Sequence, residues 1–141
     1  MNTENNKLIA EFLGDKIELR DYGSALPGKQ AFYYISKNVV VFLCMYNGTD
    51  NAYHEVWMRE AAKLTFHKDW NALMEVVEKI EDCTLLSDVG MNVNSYNTVA
   101  SIQCRWKGSV TGTGQGKTRL QALYYAVVEF ITWYNRNTER C

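Results

Sequence analysis

Residues 111–121 read TGTGQGKTRLQ, and they hold the residue types that bind phosphate: spaced glycines, a lysine, a hydroxyl and an arginine. Nucleotide-hydrolysing loops follow the pattern G-x-x-x-x-G-K-[ST] between a strand and a helix. Gly116-Lys117-Thr118 fits its end, but the position five residues before Gly116 is Thr111, not glycine. The residues just before the loop alternate as a half-solvated strand does, whereas phosphate loops follow buried parallel strands. No apolar strand ends in an aspartate for magnesium, and 23 residues follow Thr118. Hydrolysis of a nucleotide is therefore not expected.

Two other chemistries use the same residues. Thr118 and Gln121 form a T-x-x-Q capping box, which starts a helix without any ligand. A helix start also presents unpaired N–H groups and a partial positive charge, which suit an anion. The candidate anion-binding set is Gly114, Gly116, Lys117, Thr118 and Arg119, joined by Arg105 and Lys107 upstream.

Charge points to the same region. The chain of 141 residues carries 15 basic and 16 acidic side chains. Residues 1–50 sum to −1, residues 51–100 to −4 and residues 101–141 to +4, by count along the sequence. The last third is the basic one, and it suits a small anionic, nucleotide-like ligand or a nucleic acid.

Elsewhere the chemistry thins out. His54 and His67 do not sit in H-x-[ST] pairs, so two-histidine phosphoesterase chemistry fails. Cys44, Cys83, Cys104 and Cys141 show no C-x-x-C spacing, and no metal or cofactor is expected. With no basic-then-apolar leader at the start, these cysteines read as reduced thiols in a cytoplasm, that of a bacterial host on the resemblance given below. Glu75, Glu78, Glu81 and Asp82 suit either a metal pair or a solvated acidic face, and the face is preferred. Tyr33, Tyr34, Tyr53 and Trp57 suit a partner surface, stacking on a base or simple sheet packing. No constellation of nucleophile, base and oxyanion donors emerges, so an enzyme is not expected.

The elements that must hold these residues follow from periodicity. Leu8, Ile9, Phe12 and Leu13 give a first helix closed by Gly14. Residues 19–30 are turn-rich and read as a loop. AFYYIS and NVVVFLCMY read as two strands around Lys37-Asn38, the second well buried. AYHEVWM suggests another strand and REAAKL a weak helical stretch. Trp70, Leu73, Val76, Val77 and Ile80 define a helix capped by Asp69. After a strand around Val89–Val93, residues 96–107 alternate with Ile102 and Trp106 inward and Arg105 outward. Residues 108–117 are expected as a loop, and 119–135 form the strongest helix. The expectation is an α+β domain over 1–141: an antiparallel sheet with helices packed on it. The longest apolar run, residues 39–46, is too short to span a bilayer, so no membrane is implied.

The segments NKLIAEFLG, FHKDWNALMEVVEKIED and QALYYAVVEFITWYNRN resemble a group of small uncharacterised phage and Bacteroidota proteins, similar in turn to phage α-β-α sandwich domains. That resemblance implies a non-enzymatic phage accessory protein, one that sequesters an anionic ligand or inhibits a host defence protein, with a homo-oligomer allowed. A second comparison is with the double-stranded-RNA-binding domain, which runs helix, strands, helix and carries G-x-G-x-[ST]-K-K before its last helix. Gly112, Gly114 and Lys117 match that pattern, while Gly116 replaces its hydroxyl residue and Thr118 its second lysine. Its histidine-bearing inter-strand loop has no counterpart here. The alternative function is accordingly a nucleic-acid-binding accessory protein using the basic C-terminal third.

Overall fold

The computed structural model describes residues 2–23, 28–84, 87–93, 98–104 and 109–137. The chain groups into two compact units, Met1–Leu64 and Thr65–Cys141. Both have the same element order. Unit 1 runs α1 (Asn2–Phe12), β1 (Lys16–Asp21), β2 (Gln30–Ser36), β3 (Val39–Met45) and α2 (Ala52–Ala61). Unit 2 runs α3 (Trp70–Thr84), β4 (Ser87–Val93), β5 (Thr98–Cys104), β6 (Ser109–Gly116) and α4 (Arg119–Asn137). Each unit holds one antiparallel three-stranded sheet in sequential order. The fold class is α+β, as patterning implies. Among the described residues, no helix is long and apolar enough to cross a membrane.

In unit 1 the first helix ends where expected. Gly14 sits at φ 94°, and the Asp15 N–H reaches back to the Ala10 carbonyl. Strand β1 occupies the first part of the segment expected as a loop. Its register sets Ile17 opposite Tyr34 and Leu19 opposite Phe32, while Lys16, Glu18 and Arg20 take the alternate face. Charge on that face hid the strand from a reading based on hydrophobicity. The β2–β3 hairpin turns at Lys37 and Asn38 with φ of 51° and 68°, the paired positive values of a type I′ turn.

Two expectations for unit 1 are corrected. AYHEVWM is not a strand; it belongs to α2, whose Ala52, Val56, Trp57 and Ala61 are buried at helical spacing. Tyr53, Val56 and Trp57 have β propensity, and tertiary packing overrides it. Strand β3 is not well buried either. It is an edge strand, and Val39, Val40, Val41 and Phe42 are 45–60% exposed. The unit's core instead gathers Ile9, Ile17, Phe32, Val56 and Trp57. Among the described residues one polar side chain is buried there: Asn6, whose Nδ2 donates to the Leu64 carbonyl at 3.1 Å.

In unit 2 the Asp69 carboxylate caps α3, accepting from the N–H groups of Asn71 and Ala72 at 2.9 and 3.3 Å. Leu73, Val76, Val77 and Ile80 are buried along one face, while Trp70 at the start is 40% exposed. Ala100 and Ile102 on β5 face inward as expected. Trp106 and Arg105, the rest of that expected register, lie outside the described residues. The expected 108–117 loop is mostly a strand: β6 pairs with β5 from Cys104–Ser109 to Thr98–Gly116. Its glycines and threonines lack the apolar alternation that announces strands.

Candidate functional site

The opening motif is thus the end of β6 and the start of α4. Its first glycines serve packing. A Cβ on Gly112 would lie 2.5 Å from the Ala126 carbonyl oxygen, and one on Gly114 would lie 2.0 Å from that of Ala122. The backbone of β6 therefore rests directly on α4, where Ala122 and Ala126 present the small complementary residues. No larger residue fits at Gly114 without moving strand or helix.

The next residues build the helix start. Thr118 Oγ1 accepts from the Gln121 N–H at 3.1 Å, and Gln121 Oε1 accepts from the Lys117 N–H at 3.0 Å. This is a complete reciprocal capping box. Gly116 makes it feasible, because a Cβ there would meet Gln121 Oε1, Cγ and Cβ at 2.7–2.9 Å. Glycine at 116 thus has a geometric cause.

The box occupies the Lys117 N–H, so the helix start offers the N–H groups of Thr118 to Leu120 rather than a full ring of donors. Lys117, Thr118 and Arg119 are exposed and consecutive at this end. The structure brings together Gly116, Lys117, Thr118 and Arg119; Gly114 lies buried beneath α4. Arg105 and Lys107 lie outside the described residues. The site is an exposed, cationic helix start, able to contact an extended anion.

Glu75, Glu78 and Glu81 project to solvent from α3. No group of three metal-ligating side chains assembles among the described residues. Trp57 is buried, with its Nε1 donating to Tyr53 Oη at 3.2 Å and its ring edge-on to Tyr34. Tyr34 Oη donates to Asp15 Oδ2 at 2.7 Å. Burial first, then that hydrogen bond, push the Tyr34 hydroxyl above its ordinary value of 10. Tyr34 and Trp57 therefore pack and cross-link unit 1, while Tyr53 is half exposed.

A cavity of about 330 Å³ near α2 is lined by Phe32, Cys44, Ala52, Glu55, Val56 and Arg59 among others. Within it the Arg59 guanidinium donates to Cys44 Sγ at 3.4 Å. Cys44 and Arg59 are fifteen residues apart in sequence. A strand-to-helix contact across a loop leaves no local spacing signal.

No protein-family model matches this chain, and the curated proteins provide no match. Among solved structures, it is similar to the solution structure of both dsRBDs of DRB4 along with linker. That likeness covers 98% of each chain at 15% identity, with a TM-score of 0.32.

Proposed function

We propose that this protein binds double-stranded RNA, with the start of α4 as its phosphate contact. The observation that carries this is the α-β-β-β-α unit of Thr65–Cys141. In it a G-x-G strand packs on the last helix and delivers Lys117 and Arg119, exposed, at that helix's start. Two cations at the positive end of a helix suit neighbouring phosphates. Duplex RNA is read mainly through shape, 2′-hydroxyls and phosphates, which asks for such a rigid cationic end rather than a pocket.

The rest of unit 2 tempers the affinity. Residues 65–141 carry eight basic and eight acidic side chains, so attraction is local rather than global. Unit 1 shares the element order but not the cations. Its α2 follows Asp50 and Asn51, holds Glu55 in its first turn, and keeps Arg59 for its last. Phosphate contact at that helix start is therefore assigned to unit 2 alone.

Fluorescence anisotropy with a duplex RNA of about 20 base pairs tests this, since one such domain spans about 16. The same sequence as duplex DNA and as single strands supplies the comparison. The double substitution Lys117→Ala with Arg119→Ala should weaken duplex-RNA binding about tenfold or more. It should also lower the salt slope by about 2, one for each lost phosphate contact. No binding of duplex RNA by the unaltered protein at low salt would sink the proposal. So would a double variant with unchanged affinity and slope. Stabilisation by free mononucleotides without duplex binding would assign the same cations to a small anionic ligand instead.

A further inference from the structure

Unit 1 protects one edge of its sheet and leaves the other bare. Edge β1 carries Lys16, Glu18, Arg20 and Asp21, and Glu18 bridges both Lys16 and Arg20 at 2.7 and 2.8 Å. Hydrogen bonds from Lys16 and then Arg20 hold the Glu18 carboxyl below its usual range. Charges of this kind discourage pairing with another strand. Edge β3, at the opposite side, reads VVVFLCM, with no charge and no proline. Among the described residues, no strand pairs with its outer side.

The geometry of that edge fits itself. Ser36 and Val39 close the two-residue hairpin, so the backbone groups of Val39 and Val41 turn toward β2. Those of Val40 and Phe42 then point outward, up to the irregularity in register opposite Phe32 and Tyr33. We infer that β3 pairs antiparallel with β3 of a second copy of this chain, about a two-fold axis through Val41. That axis sets Val40 of one copy against Phe42 of the other, and both pairs exchange backbone hydrogen bonds. It sets Val39 against Leu43, over a shallow cleft lined by Tyr34, Val41, Leu43, Glu60, Lys63 and Leu64. Two three-stranded sheets become one of six strands.

Charge and area favour a second copy over an unrelated peptide. In this register Lys37 of one copy stands opposite Met45 of the other, so no like charges meet along the paired residues. Val39, Val40, Val41, Phe42 and Met45 are 39–60% exposed. At roughly 80 Å² each, backbone included, these residues on the two copies cover about 800 Å² together. That lies at the weak end of specific interfaces, so the dimer should be reversible and concentration-dependent.

Sedimentation velocity of the full chain at about 1–100 µM tests it, a range chosen for an interface of this size. The mass should rise with concentration from 16.2 kDa toward twice that value. Val40→Lys should hold it at the monomer value while circular dichroism stays unchanged. Val41→Cys should form an intermolecular disulfide on mild oxidation beyond any seen for the unaltered chain, because non-hydrogen-bonded cross-strand pairs bring Cα atoms to about 4.5 Å. A mass fixed at 16.2 kDa throughout overturns the inference. So does a dimer that Val40→Lys leaves intact, or one that Val41→Cys fails to cross-link.

Discussion

Alanine at position 114 tests the packing of β6 on α4 directly. The added Cβ would sit 2.0 Å from the Ala122 oxygen, 2.4 Å from the Ala126 nitrogen and 3.0 Å from the Tyr125 carbonyl carbon. All three are backbone atoms of one helix, so no side chain can swing aside. Relief needs strand and helix to part by about 1 Å, and a gap of that size forfeits a quarter to a half of each contact's attraction. Overpacking of this kind costs about 1–3 kcal/mol, and a rigid double contact belongs at the upper end. Gly114 does not occupy the left-handed region, so alanine brings no backbone strain. Its smaller unfolded-state entropy returns about 0.4–1 kcal/mol. The net expectation is a loss of about 2 kcal/mol or more, read as a lower urea midpoint at unchanged slope. Gln115→Ala, on the exposed side of the same strand, should change stability by less than about 0.5 kcal/mol. If Gly114→Ala matched Gln115→Ala, β6 could not lie on α4 in this register.

Two further outcomes follow from local geometry. Thr118→Ala should cost about 1 kcal/mol by removing the oxygen that caps the Gln121 N–H, measured by urea denaturation. Because the Tyr34 hydroxyl is raised above 10 in the fold, its contribution is complete below pH 10 and is lost as pH climbs through and beyond that value. Tyr34→Phe should therefore flatten the alkaline fall in stability of unit 1. An equally steep fall in that variant would show that Tyr34 is not its source.

Legibility in the sequence followed how each element buries its side chains. Helices α3 and α4 bury wide apolar faces, so their period and their caps at Asp69 and Thr118 were plain. The hairpin at Lys37-Asn38 and the inward Ala100 and Ile102 were equally readable. Strand β6 was not, because it packs by removing side chains: Gly112 and Gly114 against Ala122 and Ala126. A hydrophobicity scan sees no strand there. The signal it misses is small residues at spacing two facing small residues at spacing four. For the same reason, a motif that looked like a ligand cradle has its front half committed to the core. Its back half, Lys117 to Arg119, remains at the surface.

The apolar run of β3 was misjudged from the opposite side. Continuous β-branched and aromatic residues signal burial on both faces, and the sequence cannot say what supplies the cover. Within unit 1 the helices and the neighbouring strand leave Val39–Phe42 exposed. Unit 2 has the reverse balance, with a backbone-close strand and a cationic helix start. One element order thus carries two different surfaces: an uncharged strand edge suited to pairing with itself, and a helix end suited to phosphate. If both proposals hold, a dimer through β3 carries two α4 starts. Binding to a duplex long enough for both should then gain from effective concentration, while binding to a short one should not. Repeating the duplex-RNA titration with Val40→Lys separates the terms. Short-duplex affinity should be unchanged and long-duplex affinity reduced, whereas equal loss on both would mean that Val40 acts on the RNA contact itself.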